Sequence, residues 1–244
     1  MILKQISAII KNNIKLKKVG QDLARDSDGY FLSFAFNCLS NQPNSKIVDI
    51  SLLAINRARS VDLSDINNRF LAEYAGRMNN WPGEHYRLLA AVVDVVKPKI
   101  IIEIGTHKGA SALVMKKFIT DDAKLVTYDV VPWSDFSDTG LKEADFKNNL
   151  EQRVIDLSVK EKALGERATL ESADLIFVDA AKDGKMEQDF CDLFDSLKFK
   201  NRPLIIFDDI RMLNMIKIWN DIKHPKLDLT SFGHWSGTGL VEWI

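Results

Sequence analysis

Apolar positions along this chain change their period once. Up to about residue 97 they recur at helical spacing, and no stretch reads as a strand. Residues 46–61 carry Ile47, Ile50, Leu53, Ala54 and Ala58 three or four positions apart, which predicts a helix. Asp62 to Asp65 starts another, continued by Phe70, Leu71, Tyr74 and Met78. The run Asn79-Asn80-Trp81-Pro82-Gly83 is a break, and residues 84–96 form a further helix that Pro98 ends. From Lys99 onward, short apolar runs alternate with helical stretches. Residues 100–103, 124–129, 153–156, 173–179 and 203–208 predict five strands. Residues 110–118, 145–150 with their flanks, 186–197 and 212–222 predict the helices between and after them. Residues 227–232 and 239–243 then face each other as a terminal strand pair. Such alternation predicts an α/β sheet, mostly parallel, with helices on both faces. It divides the chain into a helical N-terminal extension or cap, residues 1–81, and an α/β domain, residues 82–244.

The first strand runs directly into glycines. Glu103, Gly105 and Gly109 form E-x-G-x-x-x-G between strand and helix. Glycines there let backbone N–H groups approach a ligand, and the following helix start is electropositive. The spacing is not the G-x-G-x-x-G of dinucleotide sites, because His107 stands where the second glycine belongs. A carboxylate at Glu103 would also repel a pyrophosphate. It suits a ligand with positive charge or donors near the turn, such as the amino-acid part of S-adenosylmethionine.

Acids stand at every other strand end too: Asp129, Asp156, Asp179 and the pair Asp208-Asp209. Ligands of open α/β sheets bind outside these ends. Asp129, 26 residues beyond Glu103, is placed to take ribose hydroxyls. Asp156 has two readings, an acceptor for an adenine amine or a cap for the segment starting at Ser158. Asp179, Asp208 and Asp209 come from neighbouring strands. Converging carboxylates repel, and a hard divalent cation removes the conflict. Lys182, three residues after Asp179, reads either as a general base beside that cation or as a plain ion pair.

Composition removes some partners. The 244 residues are 46% hydrophobic with a net charge of −1, so nothing suggests a nucleic-acid surface. No apolar run predicts stable membrane insertion, and the start lacks a signal-peptide pattern. Cys38 and Cys191 have no disulfide or metal spacing, which fits a reducing, cytoplasmic setting. Ile2, Ile6, Ile9 and Ile10 share one helical face ringed by lysines. That face predicts packing on the domain or on a second subunit, hence a homo-oligomer, rather than a membrane-surface helix.

The stretches EIGTHKG (103–109), DLIFVDAAKD (174–183) and IIFDDI (205–210) together resemble class I S-adenosylmethionine-dependent methyltransferases. The resemblance covers residues 82–244 and is closest to the cation-dependent O-methyltransferases of the catechol and caffeoyl-CoA type. It implies a Rossmann-like, mostly parallel seven-stranded sheet with an antiparallel last strand. It implies S-adenosylmethionine held by Glu103, Gly105, Thr106, Gly109 and Ser111 at its methionine part. Asp129 would hold the ribose, Asp156 and Leu157 would lie by the adenine, and Asp179 would border both ligands. A divalent cation, Mg²⁺ by preference, would bind Asp179, Asp208 and Asp209, with Lys182 deprotonating the acceptor hydroxyl. The chain departs from that branch at Asp209, where Asn is usual. Asp-Asp at this place also resembles metal-dependent sugar O-methyltransferases of macrolide pathways, so a catechol-like, sugar or polyol acceptor is expected. His107, His234 and Trp235 are acceptor-pocket candidates. For the last two, a packing role under the sheet edge stands as the alternative. The rival functions are a metal-independent methyltransferase with His107 or His234 as base, a nicotinamide oxidoreductase disfavoured by the missing glycine, and a non-catalytic cofactor-binding or assembly module.

Overall fold

The computed structural model describes Leu39, residues 41–71 and residues 76–244. The isoleucine-and-lysine face of residues 2–18 and Cys38 lie outside them. Gln42–Ile244 forms one compact unit.

Helix α1 (Ser45–Ala58) starts where the Asn44 carboxamide oxygen accepts from the Ile47 N–H at 3.0 Å. It buries Ile47, Ser51, Ala54 and Ala58 and packs on α3 (Tyr86–Val96). Between them, α2 is only Ser64–Asn67. The longer helix predicted through Met78 is interrupted at 68–71; residues 76–78 are helical, and Tyr74 lies outside the described residues. Lys97 turns left-handed (φ 51°) and ends α3 before Pro98.

The α/β part then alternates. Strand β1 (Ile100–Ile104) leads to α4 (Ala110–Phe118), and β2 (Lys124–Asp129) follows. Next come β3 (Leu150–Val154), α5 (Lys160–Gly165) and α6 (Arg167–Leu170). Strand β4 (Leu175–Val178) leads to α7 (Met186–Ser196), and β5 (Leu204–Asp208) to α8 (Met215–Asp221). Strands β6 (Lys226–Asp228) and β7 (Thr238–Glu242) close the sheet. Its order is β3-β2-β1-β4-β5-β7-β6, and only β7 runs against its neighbours. The seven-stranded, Rossmann-like expectation is met.

Alternation along the strands sends side chains to two faces. Ile101, Leu125, Leu175, Phe177, Leu204 and Ile206 join α1, α3 and α4 in one core. Ile102, Val126, Ile176, Val178, Ile205 and Phe207 join α7 and α8 in the other. Each such fully buried side chain contributes roughly 1.5–3 kcal/mol. Lys226 is the exception inside: fully buried, its ammonium donates to the carbonyls of Trp219, Asn220 (3.2 Å) and Ile222 (2.7 Å), capping α8.

Among the boundaries that differ from the pattern, three have a local reason. Strand β3 begins at Leu150, not Arg153, because buried Leu150 pairs with Leu125 and Val154 with Asp129. The helix predicted around 145–150 is a 3₁₀ turn at Glu143–Phe146, where the Asp145 carboxylate accepts the Lys142 N–H at 2.8 Å. Strand β6 stops at Asp228 because that carboxylate accepts the Thr230 N–H at 2.9 Å and turns the chain.

Candidate functional site

Strands β1 and β4 are neighbours whose following helices lie on opposite faces, so the loops after them part. Gly105, at φ 104°, donates its N–H to the Tyr128 carbonyl at 2.8 Å. A Cβ there would lie 2.0 Å from the Asp179 carbonyl oxygen, so only glycine fits between the two loops. Below the parted loops lies an open cavity of about 240 Å³, lined by Gly105, His107, Asp129, Asp156, Leu157 and Asp179 among others.

The turn residues are held from beneath. The Thr106 and Thr127 hydroxyls meet at 2.6 Å. Asp129, half-buried at the end of β2, accepts from the His107 N–H at 2.8 Å and the Val131 N–H at 3.0 Å. Gly109, at φ 82°, is the residue before α4, and a Cβ on it would strike Leu141 at 2.2 Å. Glu103 is fully buried, and neither carboxylate oxygen has a hydrogen-bond partner. Burial pushes its pKa up to about 8, against a smaller opposing pull from the Ser111 and Thr127 hydroxyls. Asp156 accepts from the Ser158 N–H at 2.9 Å and hydroxyl at 2.6 Å, a local turn rather than a helix cap, since α5 starts at Lys160 behind Val159 with no side-chain cap, and the residue also lines the cavity. His107 is exposed, edge-on to Phe136, at this end and not beside Lys182.

Beyond Asp179 lies a dense charge cluster. Carboxylate oxygens of Asp179, Asp208 and Asp209 come within 4.8 Å of one another. The Lys182 ammonium donates to Asp179 and to the Ala180 carbonyl (2.9 Å), and its nitrogen lies 3.3 Å from Asp209. Burial opposes the charge on Lys182, but the three aspartates outweigh it and raise the pKa. Burial and the Asp208 charge raise Asp179. Lys182 (φ 60°) and Asp209 (φ 59°) both sit in the left-handed region. Such strain gathers at working sites.

His85 and Glu84, which the sequence reading passed over, complete the cluster. Gly83 donates to the Gly233 carbonyl at 3.1 Å, and Trp235 donates to the Gly83 carbonyl at 3.0 Å. This pairing brings the turn before α3 against the loop before β7, and two imidazoles onto Asp208. His85 Nδ1 lies 3.4 Å from one Asp208 oxygen and His234 Nδ1 3.2 Å from the other. His234 Nδ1 also lies 3.1 Å from Asp209, and its Nε2 3.5 Å from Glu84. Burial opposes the charge on His234, yet Asp208 and Asp209 push its pKa up to about 10. Burial would raise Asp208, but the two histidines hold it well below the carboxylate range. The carboxylate repulsion expected from sequence is thus met within the chain by Lys182, His85 and His234. Trp235 is 72% exposed and edge-on to His234, not packed beneath the sheet. A signal for His85 did exist: a histidine just inside a turn–helix boundary, after Pro-Gly. Nothing in the sequence paired it with Asp208.

The residues fit the groups that the motifs imply. The orphaned Glu103 carboxyl and the adjoining cavity suit a cofactor with donors. The bare Asp208 oxygen and its convergent carboxylates suit a dication. A candidate caffeoyl-CoA O-methyltransferase from Staphylococcus aureus is 18% identical, with TM-score 0.52, covering 79% of this chain and 98% of that one. An SAH-bound methyltransferase from Podospora anserina is also 18% identical, with TM-score 0.47 and coverage of 80% and 88%. An O-methyltransferase of tomaymycin synthesis from Streptomyces achromogenes, in complex with SAM, is 17% identical, with TM-score 0.47 and coverage of 82% and 97%. No curated protein matches the chain. The family model for O-methyltransferases matches residues 60–210, well over half the sequence and all of the glycine turn and acidic cluster. The chain therefore belongs to the O-methyltransferase family.

Proposed function

We propose that this chain transfers the methyl group of S-adenosylmethionine to a hydroxyl of a small molecule, with a divalent cation as template. One observation carries the reading. Asp179 both lines the cavity under the glycine turn and belongs to the carboxylate cluster, so a cofactor and an acceptor would meet there.

In this reading Asp129 takes the ribose hydroxyls, Asp156 and Leu157 border the adenine, and the Glu103–Ser111 turn receives the methionine part. S-Adenosylmethionine supplies an electrophilic methyl, so the protein's share is alignment of the acceptor oxygen and removal of its proton. Asp179, Asp208 and Asp209 would hold the dication, which supplies a Lewis acid and screens the charges that keep Lys182 protonated. Lys182 Nζ then takes the acceptor proton. Trp235, exposed beside His234, offers a flat apolar wall to an acceptor ring. A catechol-like, sugar or polyol hydroxyl suits this surface.

The test is calorimetry with S-adenosylhomocysteine on wild type and Asp129→Ala. Loss of charge-assisted bonds of about 1.5–3 kcal/mol each predicts at least a tenfold weaker affinity. Equal affinities would reject the cofactor assignment. A second reading draws on Lys182, His85 and His234, which already face the three carboxylates. It is metal-independent transfer on the same fold, and full turnover in excess EDTA over a panel of hydroxyl acceptors would favour it.

A further inference from the structure

The cluster around Asp208 has two unlike sides. On one, the Lys182 ammonium already sits against Asp179, Ala180 and Asp209, so every donor of that cation faces an oxygen. On the other lie polar atoms short of full hydrogen bonds. His85 is 4% exposed; its Nδ1 meets one oxygen of Asp208, a residue 2% exposed, only at a loose 3.4 Å, and its Nε2 has no hydrogen-bond partner. Buried polar atoms left without full bonds cost roughly 1–3 kcal/mol apiece, which is rarely tolerated without a role.

These atoms are spaced as ligands. A tetrahedral ion with bonds of about 2.0 Å has ligand atoms about 3.3 Å apart. His85 Nδ1 lies 3.4 Å from one Asp208 oxygen and His234 Nδ1 3.2 Å from the other, so the carboxylate stands between the two imidazoles and would ligate through both oxygens. One ligand atom from each of the three residues lies within 4.8 Å of the others. The rings stand 80° apart with centroids at 5.4 Å, so their nitrogens can approach one point from different directions. Glu84 faces the far nitrogen of His234 at 3.5 Å, where a carboxylate orients a metal-bound imidazole. Imidazole suits zinc, cobalt, nickel and iron, whereas magnesium takes hard oxygen ligands.

We propose that His85, Asp208 and His234 form a site for a first-row transition dication of the zinc or cobalt kind. This rests on the functional reading above and changes its metal: beside Asp208 two imidazoles take the place of Asp179 and Asp209, and Mg²⁺ ceases to be the preferred ion.

The test uses the metal-free full-length chain titrated with Co²⁺, Zn²⁺ and Mg²⁺ alone, by calorimetry and, for Co²⁺, visible absorption. Wild type should bind Co²⁺ and Zn²⁺ at least 100-fold more tightly than Mg²⁺, with ligand-field bands in the Co²⁺ spectrum. His85→Phe keeps the ring packing and should weaken Co²⁺ at least tenfold. His234→Asn, at a half-buried position, should do the same and stands in if His85→Phe fails to fold. Neither should weaken Mg²⁺. Asp179→Asn should leave Co²⁺ affinity within threefold. Co²⁺ binding indifferent to both histidines overturns the proposal. If Mg²⁺ then binds and depends on Asp179, the carboxylate site of the functional reading stands by itself. If no dication binds, the imidazole site falls and the cation falls from the functional reading too, leaving the Asp129 measurement to judge the cofactor.

Discussion

Glu103 and Asp208 are buried carboxyls with opposite fates. Glu103 has no bonded partner, and burial takes its pKa from an ordinary 4.5 to about 8. Between those values the folded chain keeps a proton that the unfolded chain releases. Stability therefore falls as pH rises through this window and levels off above it. Glu103→Gln should match wild type near pH 4 and melt higher at pH 8, by up to a few kcal/mol in ligand-free protein. Calorimetric melts across that range check it, and equal melting temperatures at pH 8 reject it. Asp208 shifts the other way because His85 and His234 face it. Its contribution is fully present above the ordinary carboxylate value and is lost as pH falls through the lower, folded one. Three converging carboxylates by themselves repel, so removing one would relieve them. With the histidines in place, Asp208→Asn should instead destabilise the apo protein by about 3–5 kcal/mol, read by urea unfolding at pH 7. The difference shows what was legible. Asp129, Asp179 and Asp208 stand at strand ends that the apolar runs mark locally, so their positions could be read. The compensating partner, His85, reaches Asp208 only through the pairing of the Gly83 and Gly233–Trp235 turns, which no local pattern encodes.

Elements followed the pattern where side chains alone decide them. The runs of β1, β4 and β5 are buried almost throughout, and they form where the apolar runs put them. Elements bounded by polar side chains did not: Asp145 and Asp228 each bend the chain where apolar spacing continued. Helix α1 depends on such a side chain at its start. Asn44 caps Ile47 and also donates to Glu242 at 2.6 Å, tying the helix to β7. Asn44→Ala should lower stability by about 1–2 kcal/mol, with the loss visible in thermal melts. The β1–α4 turn is stricter. Gly105→Ala would set a Cβ against the Asp179 carbonyl, so it should lower both melting temperature and S-adenosylhomocysteine affinity. A variant with wild-type values for both would mean the turn opens freely.

For the whole molecule, the candidate site follows one edge of the sheet: the C-terminal ends of β2, β1, β4 and β5 carry Asp129, the glycine turn, Asp179 and Asp208 in spatial order. Family membership rests on residues 60–210, which include this edge, so fold and candidate site were largely written in the same segments. No helix among the described residues is long and apolar enough to cross a membrane. The far rim of the sheet is held differently. Lys226, on edge strand β6, is sealed under α8, and burial lowers its pKa to about 8. An amine that easily loses its proton is a strong nucleophile, yet no reagent can touch this one while β6 and α8 stay docked. Lys226 is therefore a built-in reporter of edge opening. Under a pulse of acetylating reagent, mass spectrometry should find Lys185, whose side chain is 83% exposed, modified at once. Lys226 should remain unmodified until the molecule breathes at that rim, and its rate of labelling would time the event.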